Sequence, residues 1–402
     1  MYKVINGKLV LPDGIRENMD LYIEGNRISA VVPHNILPAD AEKDGPVAEL
    51  DAENCYVSPG FIDIHSDYIE NVLSPRPNMM MDMASSFLEC DKILCGHGIT
   101  TMFHSISFCE NAVWELKPVR KTENAEKLVT LIRNSEKDGC FIRHKFHARL
   151  EVTSVHDEPL VRKLLEQNQV DLLSFMDHTP GQGQYRDLET ARTKMQEYGK
   201  VSGRQEFQQY LESLKNEQRL SLEQLSGLTR LAEQHHLAVS SHDDDTPQKV
   251  DLVQQLGATV TEFPITEEVA AYAKSRGMYT LAGAPNVLLG GSHCGNLNAA
   301  EAIIHKNIDM LCSDYHPAAL LHAVFIMAEK YKQDLGQMFN LITINPARAV
   351  RIDRDFGSIE KGKVADLVII SRRHDGIPFI KKVIVDGTIA ADYTIRTGNR
   401  ER

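Results

Sequence analysis

The sequence has no run of about 18 uncharged apolar residues, and its first residues alternate apolar and polar side chains where a signal peptide would be continuously apolar. We therefore expect a chain that is neither secreted nor inserted in a membrane. It also lacks a CxxC pair, and its cysteines form an odd set at positions 55, 90, 95, 109, 140, 294 and 312. This pattern predicts reduced, mostly buried thiols and a cytoplasmic location.

Positive charge is in deficit, because the formal net charge is −12. Sequence-independent binding of nucleic acid needs a basic surface, so no nucleic-acid partner is expected, and an anionic substrate would need a local basic pocket. Fixed-period repeats and low-complexity tracts are also missing, which argues against solenoids and propellers. With 42% hydrophobic residues, the 402-residue chain can form a sizeable core.

Both ends of the chain read as short strands separated by turns. The strand-like segments are YKVINGKLVL and LYIEGNRISAVV near the start, and VADLVIIS and KKVIVDGTIA near the end. From about Pro59 to Asn345, short apolar runs alternate with helical stretches, which is typical of repeated βα units with a parallel sheet. Helical periodicity is clearest between Glu206 and His235.

The middle region contains eight strand candidates. They are GFIDIHSD, GITTMFHS, KFHARLEVTS, DLLSFMDH, LAVSSHDDD, ATVTEFPIT, MYTLAGAPN and DMLCSDYH. Eight such strands predict an α/β fold of the closed (β/α)8 TIM type.

His65 and Asp67 form the first candidate metal-binding pair. Side chains at positions i and i+2 of a strand point the same way, so the two would share one face at the end of their strand. A nitrogen and a carboxylate oxygen suit Zn²⁺, and Mn²⁺ or Fe²⁺ would also fit. An isolated His-x-Asp is more often a hydrogen-bonded pair than a metal site.

Four further strand candidates end in a histidine or a carboxylate, namely Glu151, His178, His242 and Asp314. The carboxyl ends of parallel barrel strands converge on one rim, so these side chains would meet despite their separation in sequence. Burying them together is costly unless a divalent cation compensates. The alternative is a set of separate polar residues at loop mouths, each with its own hydrogen-bond partners.

Longer strings in the chain resemble a known family. PGFIDIHSD, SDYHP and NPARAVRI followed by GSIEKGKVADLVII resemble the amidohydrolase superfamily. MDHTPGQGQYRD, SSHDDDT, EFPIT and GAPNVLLGGSHCGN resemble its phosphonate-metabolism branch, called PhnM. The resemblance implies a metal-dependent (β/α)8 barrel over residues 59–349 and a small β-sandwich domain from residues 1–58 together with 350–402.

The resemblance also implies an activity, the hydrolysis of α-D-ribose 1-methylphosphonate 5-triphosphate to the 5-phosphate and pyrophosphate. One or two divalent ions, with Zn²⁺ as the first choice, would be held by His65, Asp67, Glu151, His178, His242 and Asp314. Asp314 is the candidate general base, and His242 is a second candidate for proton transfer together with the adjacent Asp243 and Asp244.

A phosphorylated substrate needs donors near the rim. The candidates are Arg149, Arg186, Ser292, His293 and Asn296. The sequence departs from the family pattern at Asn71 and Val72, where charged or imidazole side chains are expected, and at His104, where a carboxylate is expected. We therefore expect fewer basic groups beside the metal.

Two other functions remain open. A related cyclic amidase or deaminase would attack carbon instead of phosphorus and would need fewer basic contacts. A non-catalytic scaffold protein should have lost ligands, whereas all six positions carry plausible ligand types. Barrel enzymes of this type often form homo-oligomers, although no residue pattern here marks an interface.

Overall fold

The computed structural model describes residues 1–38, 47–76, 78–109, 117–197, 199–214, 217–291 and 296–396. Its strands form two separate eight-stranded sheets. None of the helices in these ranges combines the length and the hydrophobicity of a membrane-spanning segment. The six cysteines in the described ranges are free thiols, and all except Cys140 are buried, in agreement with the prediction.

One sheet combines both ends of the chain. Its strands are β1 (Tyr2–Leu11), β2 (Gly14–Glu24), β3 (Arg27–Pro33), β4 (Ala48–Asp51), β5 (Tyr56–Pro59), β14 (Leu367–Arg372), β15 (Pro378–Val385) and β16 (Thr388–Asp392). The two ends meet where β5 pairs antiparallel with β14, with Val57 opposite Ile369. Both of these residues are fully buried in the apolar core of the sheet. The predicted β unit made from both chain ends is confirmed.

The second sheet is the barrel, whose strands follow one another in chain order. They are β6 (Phe61–Ser66), β7 (Ile99–Phe108), β8 (Arg143–Glu151), β9 (Leu172–Met176), β10 (Ala238–His242), β11 (Val260–Glu262), β12 (Tyr279–Gly283) and β13 (Met310–Cys312). All neighbours in this order pair in parallel. Each overlaps one of the predicted strand segments, and the (β/α)8 fold is confirmed.

The seam between β6 and β13 closes the barrel with few backbone contacts. One parallel bridge joins Ser66 to Asp314. The side chain of Asp63 strengthens this closure. Its buried carboxylate accepts the backbone N–H of Ser313 at 3.2 Å and that of His65 at 3.3 Å. Asp63 thus links the backbones on the two sides of the seam.

Helices connect the strands and cover the barrel. In chain order α1 to α14 are Tyr68–Leu73, Met83–Gly96, Thr122–Asp138, Glu158–Glu166, Leu188–Glu197, Arg204–Leu214, Leu222–Gln234, Pro247–Gln255, Glu267–Ser275, Ala284–Leu289, Ala299–Ile304, Ala319–Glu329, Leu335–Asn340 and Ile344–Ala349. The periodic stretch from Glu206 to His235 covers most of α6 and all of α7. Ser221, the residue before α7, forms a capping box, in which its hydroxyl accepts the N–H of Gln224 and the Gln224 side chain accepts the N–H of Ser221.

Helices α5 and α6 belong to an insertion between β9 and β10 that has a small core of its own. This core contains Ala191, Met195, Val201 and Phe207, each at most 6% exposed. Tyr185 and Tyr210 pack against it. The insertion can therefore hold its shape while contributing side chains to the cavity described next.

Candidate metal centre

All six candidate ligands line one cavity of about 380 Å³ at the carboxyl ends of the barrel strands. Glu151 and His242 are the last residues of β8 and β10, as predicted. His178 and Asp314 lie two residues beyond the ends of β9 and β13. The structure thus brings the predicted set together, because parallel strands deliver their carboxyl ends to one rim.

Glu151 contacts His178 twice. Its Oε1 accepts the backbone N–H of His178 at 2.8 Å, and its Oε2 lies 2.7 Å from His178 Nδ1. Burial alone would lower the pKa of His178, but the charge of Glu151 and this hydrogen bond raise it above its ordinary value. The pair fixes the imidazole and leaves Nε2 as the nitrogen that can bind another group.

Asp243 joins His178 and His242 in one group of potential metal ligands. One atom from each lies within 4.8 Å of the others. Asp243 Oδ2 is 3.3 Å from His242 Nδ1 and 3.8 Å from His178 Nε2. Asp243 Oδ2 and His242 Nδ1 are buried without a hydrogen-bond partner among the described residues. Buried polar atoms without partners are costly, and a divalent cation would compensate them, so this donor set fits a metal ion.

A second group of potential ligands consists of His65, His147 and Glu262. His65 Nδ1 is 3.1 Å from Glu262 Oε2, and His147 Nε2 is 3.6 Å from Glu262 Oε1. All three residues are at most 2% exposed. Neither His147 nor Glu262 was predicted, although Glu262 is the last residue of β11 and matches the same strand-end pattern.

Two carboxyl groups on the β6 and β13 side of the cavity have raised pKa values. Burial, followed by the charge of Asp67, raises the pKa of Asp314 to about 7. Burial, followed by the charge of Glu70, raises the pKa of Asp67. Asp67 Oδ1 is also buried without a hydrogen-bond partner among the described residues. A cation between these groups would stabilise their charged forms and so lower the pKa of both Asp67 and Asp314.

Two arginines bring positive charge to the cavity. Arg149 on β8 was predicted, and its Nη2 lies 3.1 Å from His242 Nε2. Arg120 was not predicted, because it lies in a 3-10 turn away from any strand end. Its Nε is 2.9 Å from Glu70 Oε2, its Nη2 is 2.8 Å from the same oxygen, and Nη2 is 3.8 Å from Asp67 Oδ2. Arg120 therefore supplies a basic group beside Asp67 that the local sequence of α1 lacks.

The remaining predicted residues differ in whether they line the cavity. Asn296 lines the cavity. Arg186 is exposed and is absent from the cavity lining in the described ranges. Ser292 and His293 lie outside the described residues. Asp244 is fully buried, and its Oδ2 accepts a hydrogen bond from Ser241 at 2.5 Å, whereas its neighbour Asp243 lines the cavity.

A (β/α)8 barrel with histidines and carboxylates gathered at the carboxyl ends of its strands defines a class of barrel hydrolases. The model of the amidohydrolase family matches residues 56–390, and the chain belongs to this family. It is an enzyme, a hydrolase.

Among curated relatives, the chain is 34% identical over 393 residues to the alpha-D-ribose 1-methylphosphonate 5-triphosphate diphosphatase of Escherichia coli (strain K12), which covers 96% of this chain and 99% of the relative. An adenine deaminase of Clostridium botulinum (strain Loch Maree / Type A3) is 32% identical over 139 residues, covering 32% of this chain and 22% of that protein. The solved N-acetylglucosamine-6-phosphate deacetylase of Pasteurella multocida shares the fold, with a TM-score of 0.62 at 13% identity, over 96% of this chain and 99% of the other.

Proposed function

We propose that this chain hydrolyses α-D-ribose 1-methylphosphonate 5-triphosphate to the 5-phosphate and pyrophosphate. The observation that carries the proposal is the 34% identity to the diphosphatase across almost the whole of both chains. The match covers 96% of this chain and 99% of the relative, so the similarity is not confined to one segment. The same proposal includes a small phosphorylated substrate.

The charges of the cavity support a metal-dependent reaction on an anion. Its described lining contains the carboxyl groups of Asp67, Glu151, Glu217, Asp243 and Asp314. Only Arg120 and Arg149 oppose them in that lining. A triphosphate would be repelled by this excess of carboxyl groups. One divalent ion would reduce the net negative charge of the lining, and two would reverse its sign. We infer that the six predicted ligands, with Asp243 added, hold these ions, with Zn²⁺ as the first choice.

Each residue then has a defined task. A divalent ion held by these residues would lower the pKa of a water molecule and act as a Lewis acid on a phosphoryl oxygen. Asp314, at the end of the last strand, accepts the proton of the attacking water. Arg149 and Arg120 donate hydrogen bonds to phosphoryl oxygens, where a guanidinium matches the geometry of the anion. Asn296 can contribute a further donor from the cavity wall.

A deaminase is the second candidate, favoured by a group of aromatic and aliphatic side chains in the cavity wall. These are Tyr185, Tyr210, Phe263 and Leu289. Such a wall suits a planar, uncharged base better than a phosphate chain. The partial match to adenine deaminase covers only a third of this chain, so this candidate rests mainly on the aromatic wall.

The two candidates are separated by one set of assays on the purified, metal-loaded protein. Pyrophosphate release is measured with α-D-ribose 1-methylphosphonate 5-triphosphate and ammonia release with adenine. We expect pyrophosphate release, and pyrophosphate silence with ammonia release would overturn our first choice. Silence in both assays, together with the absence of stoichiometric metal in protein purified without chelator, would support a non-catalytic relative.

A further inference from the structure

We infer that Glu262 is a positioning residue that holds the imidazole of His65 so that Nε2 is the nitrogen left to bind a metal ion. The inference rests on the metal site included in the proposed function. Glu262 is fully buried and does not itself line the cavity, whereas His65 does. A carboxylate in this position acts on the site through the residue that it contacts.

Contacts from four barrel strands converge on Glu262. Oε2 accepts hydrogen bonds from His65 Nδ1 at 3.1 Å and from the Ser174 hydroxyl at 3.3 Å. Oε1 accepts the Ser240 hydroxyl at 3.0 Å and lies 3.6 Å from His147 Nε2. Because both hydroxyls donate, the carboxylate is fixed as an acceptor on both oxygens. It has little freedom to rotate away from His65.

This arrangement selects one tautomer of His65. A carboxylate accepts hydrogen bonds, so the proton of the neutral imidazole must lie on Nδ1, and the lone pair then lies on Nε2. The ring plane is held by its neighbours as well, since Phe263 packs edge-on at 4.9 Å between centroids and His147 at 5.4 Å. Carboxylates that fix a ligand histidine in this way typically change metal affinity 10–100-fold when they are removed.

The test measures Zn²⁺ affinity by competition with a chromophoric chelator, and the visible absorption spectrum of the Co²⁺-loaded protein. In Glu262→Gln, the amide can turn its NH₂ towards Nδ1 and thereby favour the other tautomer. We expect Zn²⁺ affinity to fall about 10–100-fold and the Co²⁺ bands to shift. Asp91→Asn is the matched control, because Asp91 is also a buried carboxylate beside a histidine, His144, but lies away from the cavity. It should leave both readouts unchanged.

The outcomes are distinct. Unchanged Zn²⁺ affinity and an unchanged Co²⁺ spectrum in folded Glu262→Gln would overturn the inference, as would a lower melting temperature of the metal-free protein as the only effect. If Glu262→Gln does not fold, Ser174→Ala removes one donor to the same oxygen. It should lower affinity about 2–10-fold, the equivalent of one hydrogen bond, and no change would again overturn the inference. Neither readout needs a substrate, so normal metal binding without pyrophosphate release would count against the proposed function alone.

Discussion

Arg149 Nη2 lies 3.1 Å from His242 Nε2, and both residues are at most 7% exposed. Arginine can only donate, so Nε2 accepts from the guanidinium, and Nδ1 is the ring nitrogen that faces Asp243 Oδ2, at 3.3 Å. Any ligand that takes Nε2 must displace the guanidinium. Occupation of this nitrogen would therefore free Arg149 to contact a phosphoryl oxygen.

Replacing Arg149 by methionine tests whether this guanidinium contacts a phosphoryl oxygen of the substrate. The variant keeps the apolar stem and removes the donors, so we expect kcat/KM for the triphosphate to fall about 10-fold or more, the value of a charge-assisted hydrogen bond. Arg186→Met is the control, because Arg186 is exposed and outside the cavity lining in the described ranges. Equal losses in the two variants would contradict the assignment of Arg149.

Asp314→Asn should abolish turnover without unfolding the protein. Removing a general base typically costs at least about 100-fold in rate. Asp314 has φ of 57°, a left-handed conformation that asparagine tolerates as well as aspartate does, so the backbone is not strained by the change. Activity and the melting temperature are measured on the same preparation. Activity close to that of the wild type would exclude Asp314 as the base.

Phe207→Ala should weaken the helical insertion and leave the barrel folded. Phe207 is 3% exposed in the small core that supports Tyr210, a cavity residue. Loss of a buried phenyl ring costs about 3–5 kcal/mol. We expect faster limited proteolysis between β9 and β10 and a raised KM. Leu188→Ala, at a 43% exposed position of the same insertion, should change neither.

His104 should make the protein less stable in acid. Its Nε2 lies 2.8 Å from His144 Nδ1, and its ring lies beside that of Phe87 from α2. Burial, followed by the charge of His144, holds the pKa of His104 well below its ordinary value. Above about pH 6.5 the group is neutral in both the folded and the unfolded chain. As pH falls below that value only the unfolded chain gains the proton, so the free energy of unfolding decreases by up to about 1.4 kcal/mol per pH unit.

Urea unfolding at about pH 8 and pH 5 checks this prediction. His104→Gln keeps a hydrogen-bonding side chain and removes the titration, so it should lose less stability between the two pH values than the wild type does. His374→Gln, at an exposed position, serves as the control. If His104→Gln and the wild type lose equal amounts, His104 does not contribute to the pH dependence.

Much of the barrel could be predicted because its strands are short apolar runs with polar residues at one end. The same pattern identified Glu151 and His242, since each is the last residue of its strand. Glu262 carries the same signal, but a strand-end carboxylate does not reveal whether its side chain faces the cavity or the interior beneath it. That depends on contacts with Ser174 and Ser240, which come from other strands.

Arg120 shows a different limit of sequence reasoning. It reaches the cavity from a turn, and its position depends on the buried carboxylate of Glu70 from α1, 50 residues earlier in the chain. No periodicity marks such a residue. The prediction of few basic groups beside Asp67 follows from the local sequence, whereas the actual basic group arrives through tertiary contact.

The seam of the barrel has a consequence for how the enzyme matures. His65 and Asp314 flank the seam, and the hydrogen bond from Ser313 to Asp63 that joins its two sides spans 250 residues of chain. Bringing positions so far apart together carries a large loop-closure cost, which slows the formation of such contacts. A partly synthesised chain ending before β13 would hold every other strand of the barrel and still lack the Asp314 side of the cavity. The proposed active site is thus complete only once the barrel closes.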